Sequence, residues 1–396
     1  MKRVLVTGMG VISALGKNAA ENLAQLQKSE SGIGVPIYLD SSFANDFVFG
    51  EVKMSTASLK AELGLQDANH LTRTDLFAIC AVSEALADAK LSPEEISSFD
   101  TAIISSSTVG GMSETDRLYE DANLQTSGSA FLQSYGSGAH LLNLVKHFHL
   151  RGTTDTINTA CSSSANAIML GAKLIKAGRA NRVIVGGTDS LCKFTINGFN
   201  ALQILSKIHC RPFDETRNGL NLGEAAAYLV LESADVVGSK KVYAEIRGYG
   251  NANDAHHASA LSEEATGVIA AMSKALESAQ IVASDVDYVN AHGTATENND
   301  ITEITGLQRI FEKTPPYNST KSYTGHTLAA AGAIEAIYSI FSIVNGELYA
   351  SLHCETPITV ATSTPIRTYT KSRIYTVLSN SFGFGGNCTS LIIAKA

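Results

Sequence analysis

The chain has 396 residues, of which 44% are hydrophobic and only 17% charged, a composition that supports a large buried core and excludes a linker-rich assembly. Its formal net charge is −8 and it carries no Lys/Arg block, which excludes nucleic acid as a partner. Six cysteines, at 80, 161, 192, 210, 354 and 388, show no C-x-x-C spacing, so neither a zinc site nor a disulfide framework is expected.

In chain order, residues 3–6 read as a buried strand that runs into a glycine turn, Thr7-Gly-Met-Gly10. The G-x-G invites a dinucleotide site, but the next glycine, Gly16, falls at the wrong spacing and no acidic residue follows at a ribose-binding distance. The N-terminal apolar run is too short for a signal peptide, and no apolar run reaches the length of a membrane span; the expected setting is cytoplasmic. Helices are predicted over 19–28 and over 76–90, the second apolar nearly all round and hence buried. A strand over 101–105, a turn over 106–112 and a helix over 141–149 follow. Further strands are predicted over 182–187 and 223–231, and this alternation of strands and helices argues for α/β layers.

Between them lies Thr154-Asp-Thr-Ile-Asn-Thr-Ala-Cys-Ser-Ser-Ser-Ala-Asn-Ala-Ile168, a short strand, a sharp turn and a helix of small residues closed by Gly178. Cys161 falls at the turn. A thiol at a helix start faces unpaired N–H groups and the positive end of the dipole, which favours thiolate and supplies a place for an oxyanion. The same residue reads equally well as a small buried cysteine.

From residue 241 the pattern restarts: a strand over 242–246, a loop over 248–257, a helix over 266–278, and a strand entering Asn290-Ala-His-Gly-Thr294. Lys321-Ser-Tyr-Thr-Gly-His326 then opens a small-residue helix over 327–344. A strand over 374–380, the run Phe382-Gly-Phe-Gly-Gly386 and a last strand over 390–394 end the chain. Strand, turn, Cys161, helix and Gly178 match strand, turn, His326, helix and Gly346, so the chain reads as a duplicated unit, residues 1–240 and 241–396. Two helix starts facing each other would bring Cys161 and His326 together.

Five motifs in order carry a family resemblance: Thr159-Ala-Cys-Ser-Ser-Ser164, Cys210-Arg-Pro-Phe-Asp214, Asn290-Ala-His-Gly-Thr294, Lys321-Ser-Tyr-Thr-Gly-His326 and Asn380-Ser-Phe-Gly-Phe-Gly-Gly386. From first strand to last, the chain resembles the elongating β-ketoacyl-acyl carrier protein synthases of the thiolase superfamily. The resemblance implies an α/β fold of five layers, α-β-α-β-α, and a dimer. It implies decarboxylative condensation, with Cys161 holding the acyl chain and His292 and His326 acting as neutral N–H donors to an enolate. The backbone N–H groups of Cys161 and Phe384 would hold the oxyanion, Phe384 would gate the acyl pocket, and Lys321 would pair with Glu303.

By the same resemblance Thr294 and Thr296 would contact the pantetheine arm, and Val109 and Met112 would line the acyl tunnel. Asp254 and His257 would belong to a loop facing the gate, and Arg73 and Lys207 would meet an acidic acyl carrier protein. No metal or diffusible cofactor is implied, because the phosphopantetheine arrives on the carrier protein. Ser162-Ser-Ser164, the short segment between Ser206 and Arg211, and Asn387-Cys388 after the glycine pair depart from fatty-acid enzymes. The first two resemble polyketide-type synthases, including those of aryl polyene or flexirubin pigments. Three rivals are a chain-length factor lacking the nucleophile, a degradative thiolase with a second cysteine, and a Cys-His hydrolase. A homodimer and a heterodimer with a chain-length factor both remain open.

Overall fold

The computed structural model describes residues 2–396. In chain order its strands are β1 (Val4–Ile12), β2 (Thr101–Ser106), β3 (Thr154–Ile157), β4 (Arg182–Asp189), β5 (Ala225–Ser233), β6 (Ala244–Asn253), β7 (Tyr288–Asn290), β8 (Tyr317–Asn318), β9 (Glu347–Leu348), β10 (Thr370–Lys371), β11 (Thr376–Phe382) and β12 (Asn387–Ala394). Strands β9 and β10 form a small ribbon of their own. The other ten form one sheet in the order β3-β2-β4-β5-β1-β6-β12-β11-β7-β8.

That sheet is two wings joined by a short seam, since β1 meets β6 only through Leu5↔Glu245 and Val6↔Ala244. Ranked within its own half, each wing reads 3-2-4-5-1 from its outer edge to the seam. The pairing senses repeat as well. β2 is parallel to β3 and β4, and β7 is parallel to β8 and β11, while β5 and β12 run antiparallel to their neighbours.

Helices complete five layers, α-β-α-β-α, as expected. Helices Ser163–Lys176 and Ala331–Asn345 pack on each other between the wings, inside the largest apolar cluster. Helix Arg73–Asp88, opened by a capping box of Thr72 and Asp75, covers the outer face of the first wing, and helix Thr266–Ala279 covers that of the second.

The central position of helix Ala331–Asn345 corrects one expectation. Residues Leu328–Asn345 are long and apolar enough to cross a membrane, with a mean hydropathy of 1.5, yet 89% of that stretch is buried inside the protein. A helix pressed by a sheet on each side needs an apolar surface all round.

The predicted glycine turn at residues 7–10 is also absent, because β1 runs straight through it. A Cβ on Gly8 would sit 2.3 Å from the Ala85 carbonyl oxygen, and one on Gly10 would sit 2.0 Å from that of Ala81. The glycines let helix Arg73–Asp88 lie directly on the strand. The second wing repeats the device, so the expected loop at 248–257 is strand as far as Asn253. There a Cβ on Gly250 would lie 2.0 Å from the Ala271 carbonyl oxygen of helix Thr266–Ala279.

Candidate active site

The nucleophile turn is built by its own hydroxyl groups. Ser163 Oγ accepts the Thr159 N–H at 2.9 Å, and Ser162 Oγ donates to the Thr159 carbonyl at 2.8 Å. They hold Ala160 in the left-handed region at φ 53°, a conformation that costs a residue with a Cβ about 1–2 kcal/mol. Cys161 is thereby set at the entrance of helix Ser163–Lys176, and only 5% of it is exposed.

Burial dominates the thiol. It is pushed up to about 11, against the opposing pull of the Lys321 ammonium and of the Phe384 and Cys161 N–H groups. The expected thiolate is therefore corrected to a resting thiol, because the dry wall around Sγ outweighs the helix start.

Both histidines are buried, with their rings 5.5 Å apart at 86°. The Lys321 ammonium lies 3.2 Å from His292 Nδ1 and also donates to the His292 carbonyl. At His326 the Leu328 N–H donates to Nδ1 at 3.3 Å. With Nδ1 serving as acceptor in each ring, the proton rests on Nε2. His326 Nε2 is buried and has no partner in the protein. Burial first, and then the Lys321 charge, hold both imidazoles well below the ordinary histidine value, so both are neutral N–H donors.

Lys321 does not pair with Glu303. Its ammonium bonds Glu335, on helix Ala331–Asn345, and both side chains are buried. Glu303 instead accepts the N–H groups of His292 (2.9 Å) and Gly293 (2.8 Å) and the Asn380 amide (3.0 Å), and burial pushes it up to about 7. Its carboxylate shapes the His292 loop through those three donors, while the Lys321 ammonium turns to Glu335. Glu335 was legible in principle, as a lone charge in a helix otherwise apolar all round.

A cavity of about 600 Å³ joins these groups, with Cys161, His292 and His326 in its wall. Phe384 lies 5.7 Å from Phe199 with ring planes 18° apart, and both rings line the cavity together with Leu202, Ile204 and Leu220. Thr294 and Thr296 are also in the wall, their hydroxyls 2.8 Å apart. Gly385 and Gly386, both at φ 83°, let the backbone turn beside Phe384.

The remaining assignments fare unevenly. Val109 and Met112 lie outside the cavity lining, in an apolar cluster that also holds the lining residues Phe199 and Leu220, so they stand behind the wall and not in it. Asp254 is buried and accepts the Ser262 N–H and hydroxyl, and its own N–H bonds the Gly386 carbonyl, tying the loop to the gate. His257 is exposed, takes the Ser259 N–H and is not in the cavity wall. Arg73 is unavailable to a partner: its guanidinium is committed to buried Glu224 and to the Met54 and Val52 carbonyls. Lys207 is exposed, above the Phe47 ring.

Sequence reading missed the Asn387 node. Its Oδ1 lies 2.8 Å from Ser162 Oγ and accepts from Asn166 Nδ2 at 2.8 Å and from Asn251 Nδ2 at 2.9 Å, and its carbonyl takes the Gly383 N–H. One residue thus bolts the Phe384 segment to the Cys161 turn. Among the described residues, no group of three or more His, Cys, Asp or Glu is placed to hold a metal ion.

Comparison with known proteins places this geometry. The N-terminal domain model of β-ketoacyl synthases matches residues 1–236, and the C-terminal domain model matches residues 243–355. The chain belongs to the β-ketoacyl synthase family. A 3-oxoacyl-[acyl-carrier-protein] synthase 2 of Rhizobium meliloti (strain 1021) is 33% identical over 423 residues, covering 100% of this chain and 99% of the relative. A chain of the Xenorhabdus doucetiae complex of the ketosynthase ApeO with its chain length factor ApeC superposes with a TM-score of 0.87 at 29% identity, covering 100% of this chain and 98% of that one. The ishigamide ketosynthase/chain length factor superposes with a TM-score of 0.92 at 24% identity, covering 100% of this chain and 99% of that one, which shows the shared fold of this β-ketoacyl synthase.

Proposed function

We propose that this chain is a 3-oxoacyl-acyl carrier protein synthase, a carbon–carbon bond-forming acyltransferase that condenses a malonyl thioester with an acyl chain held on Cys161. The observation that carries the reading is the pair of neutral imidazoles facing one cavity with a buried cysteine, one of them with an unpartnered Nε2–H. In the first stage Cys161 Sγ attacks the carrier protein's acyl thioester and loses its proton. The Cys161 and Phe384 N–H groups hold the oxyanion, and the pantetheine thiol leaves. In the second, malonyl thioester enters along Thr294 and Thr296 and the Nε2–H groups of His292 and His326 bind its thioester oxygen. The carboxylate departs as carbon dioxide, and its electron pair becomes the enolate held by those donors. The enolate carbon attacks the acyl-Cys161 carbonyl and releases the thiolate. Lys321 and Glu303 position His292.

The substrate supplies the phosphopantetheine, so no resident cofactor or metal is called for. Residues 1–240 and 241–396 read as duplicated halves, supported by the repeated strand order. The six free cysteines suit a cytoplasmic enzyme. A degradative thiolase is disfavoured because Cys388 bonds the Gly386 carbonyl and lies outside the cavity wall. The nucleophile in place disfavours a chain-length factor, and the Lys321–Glu335 pair behind His292 exceeds what a Cys-His hydrolase uses.

Likeness to a chain of the ApeO–ApeC complex, a ketosynthase with its chain length factor, favours a second, finer reading: a subunit of a ketosynthase/chain-length-factor heterodimer. The run Ser162-Ser-Ser164 and the short segment before Arg211 support assigning that heterodimer to an aryl polyene-type pathway. The deciding experiment is intact-mass analysis after incubation with acyl carrier protein thioesters, saturated and polyene or aryl, with Cys161→Ala as control. Loading that vanishes in the variant supports the reaction, and the best donor assigns the pathway. No loading from any donor, even with a chain-length factor added, would refute it.

A further inference from the structure

Asp189, the last residue of β4, is a fully buried carboxylate that the mechanism above does not use. Its oxygens are saturated with donors. Oδ1 takes the Ser107 hydroxyl at 2.6 Å, the Thr108 N–H at 3.0 Å and the Val109 N–H at 2.9 Å. Oδ2 takes the Thr108 hydroxyl at 2.6 Å and, from the far side, the Ala329 N–H at 2.8 Å. So many donors on two oxygens require the carboxylate itself; a carboxamide would turn one of those positions into a donor facing donors.

The Ala329 bond matters because of its neighbour. Leu328 sits in the left-handed region at φ 52°, at a cost of about 1–2 kcal/mol for a residue with a Cβ. In that conformation its N–H reaches His326 Nδ1 at 3.3 Å. Anchoring the next N–H on Asp189 keeps the turn in place. The chain of contacts therefore runs from the loop after β2, through Asp189 and Ala329, to the Leu328 N–H and the imidazole.

We propose that Asp189 is a positioning residue for His326: by fixing Ala329 it keeps the Leu328 N–H on Nδ1, and so keeps the proton on the Nε2 that meets the malonyl-derived enolate. The inference rests on the condensing role proposed for His326. It predicts that loss of Asp189 harms condensation, which uses His326, far more than loading of Cys161, which does not.

The test uses the full chain with Asp189→Asn and two readouts. Single-turnover loading of Cys161 should stay within about threefold of the parent, while condensation with malonyl carrier protein falls by about tenfold or more. Nitrogen-15 spectra of labelled histidine should show His326 protonated on Nε2 in the parent and a new Nδ1-protonated population in the variant. Replacing Ala329 by lactate through nonsense suppression deletes the one N–H and leaves Asp189 intact, which covers a variant that fails to fold. It should reproduce the tautomer change. Parallel loss of loading and condensation, or an unchanged tautomer in either protein, would overturn the proposal. A parent chain that loads Cys161 but never condenses would instead sink the functional reading, while the spectra still judge Asp189.

Discussion

Alkylation of Cys161 measures directly whether burial or the helix start governs the nucleophile. The thiol is held at about 11 where an ordinary one lies at 9.0, because burial strips solvent from the charged form more than nearby N–H groups and Lys321 repay it. At about pH 8 such a thiol is thiolate about one part in a thousand, against about one part in ten for the ordinary group. The hundredfold deficit corresponds to about 2.7 kcal/mol. Iodoacetamide inactivation, scored by peptide mass to separate Cys161 from half-buried Cys80, should therefore quicken about tenfold per pH unit with no plateau up to about pH 9. A plateau near neutrality would show that the helix start outweighs burial, and the resting-thiol account would fail. If the account holds, acyl loading draws on the same small thiolate fraction, and its rate should climb with pH in the same way.

Three further outcomes follow from the geometry. His326→Ala removes one enolate donor, so condensation should drop by about 10²-fold or more while single-turnover loading of Cys161 persists; equal loss of both steps would assign His326 elsewhere. Lys321→Met strands buried Glu335 and should cost about 3–5 kcal/mol in thermal or denaturant unfolding. Lys321→Met combined with Glu335→Leu should recover much of that loss, and additive effects would mean the pair is uncoupled. Arg73→Ala should destabilise by about 3 kcal/mol, because Glu224 is left buried, yet leave carrier protein affinity within about twofold by titration. A large loss of affinity would return Arg73 to the docking surface.

What the sequence made legible was local or periodic. The cysteine turn, both histidine loops and most strands carry their signals within a few residues. The duplication shows because two runs of strand, turn, small-residue helix and glycine repeat the same grammar. What stayed hidden depends on contacts far apart in the chain. Glycines at 8, 10, 248 and 250 read as turn or loop residues, and only the helix lying on each strand reveals that they are there to let it approach. Lys321 needed a buried carboxylate, and Glu303 and Glu335 are both buried; only the packed structure, with Glu335 on the central helix beside the ammonium, decides between them. The family resemblance put Arg73 at the carrier protein surface, and Glu224, a partner far away in the chain, holds it inside. Asn387 appeared in the sequence only as a departure from a family pattern, without a reason.

The dryness of the site sets its two halves against each other. The same burial that denies Cys161 its thiolate keeps His292 and His326 neutral, and only neutral rings carry an Nε2–H while accepting at Nδ1. A wetter pocket would ready the nucleophile and lose the enolate donors to protonation or to water. Lys321 reconciles these demands, since its ammonium pulls the Cys161 thiol down toward ionisation and pushes both imidazoles further from protonation. A cation in so dry a place needs a counter-charge that does not compete for His292, and Glu335 supplies it from the central helix. The duplicated fold makes this possible: the cysteine comes from the first wing, both histidines and their lysine from the second, and the shared helix layer buries them together.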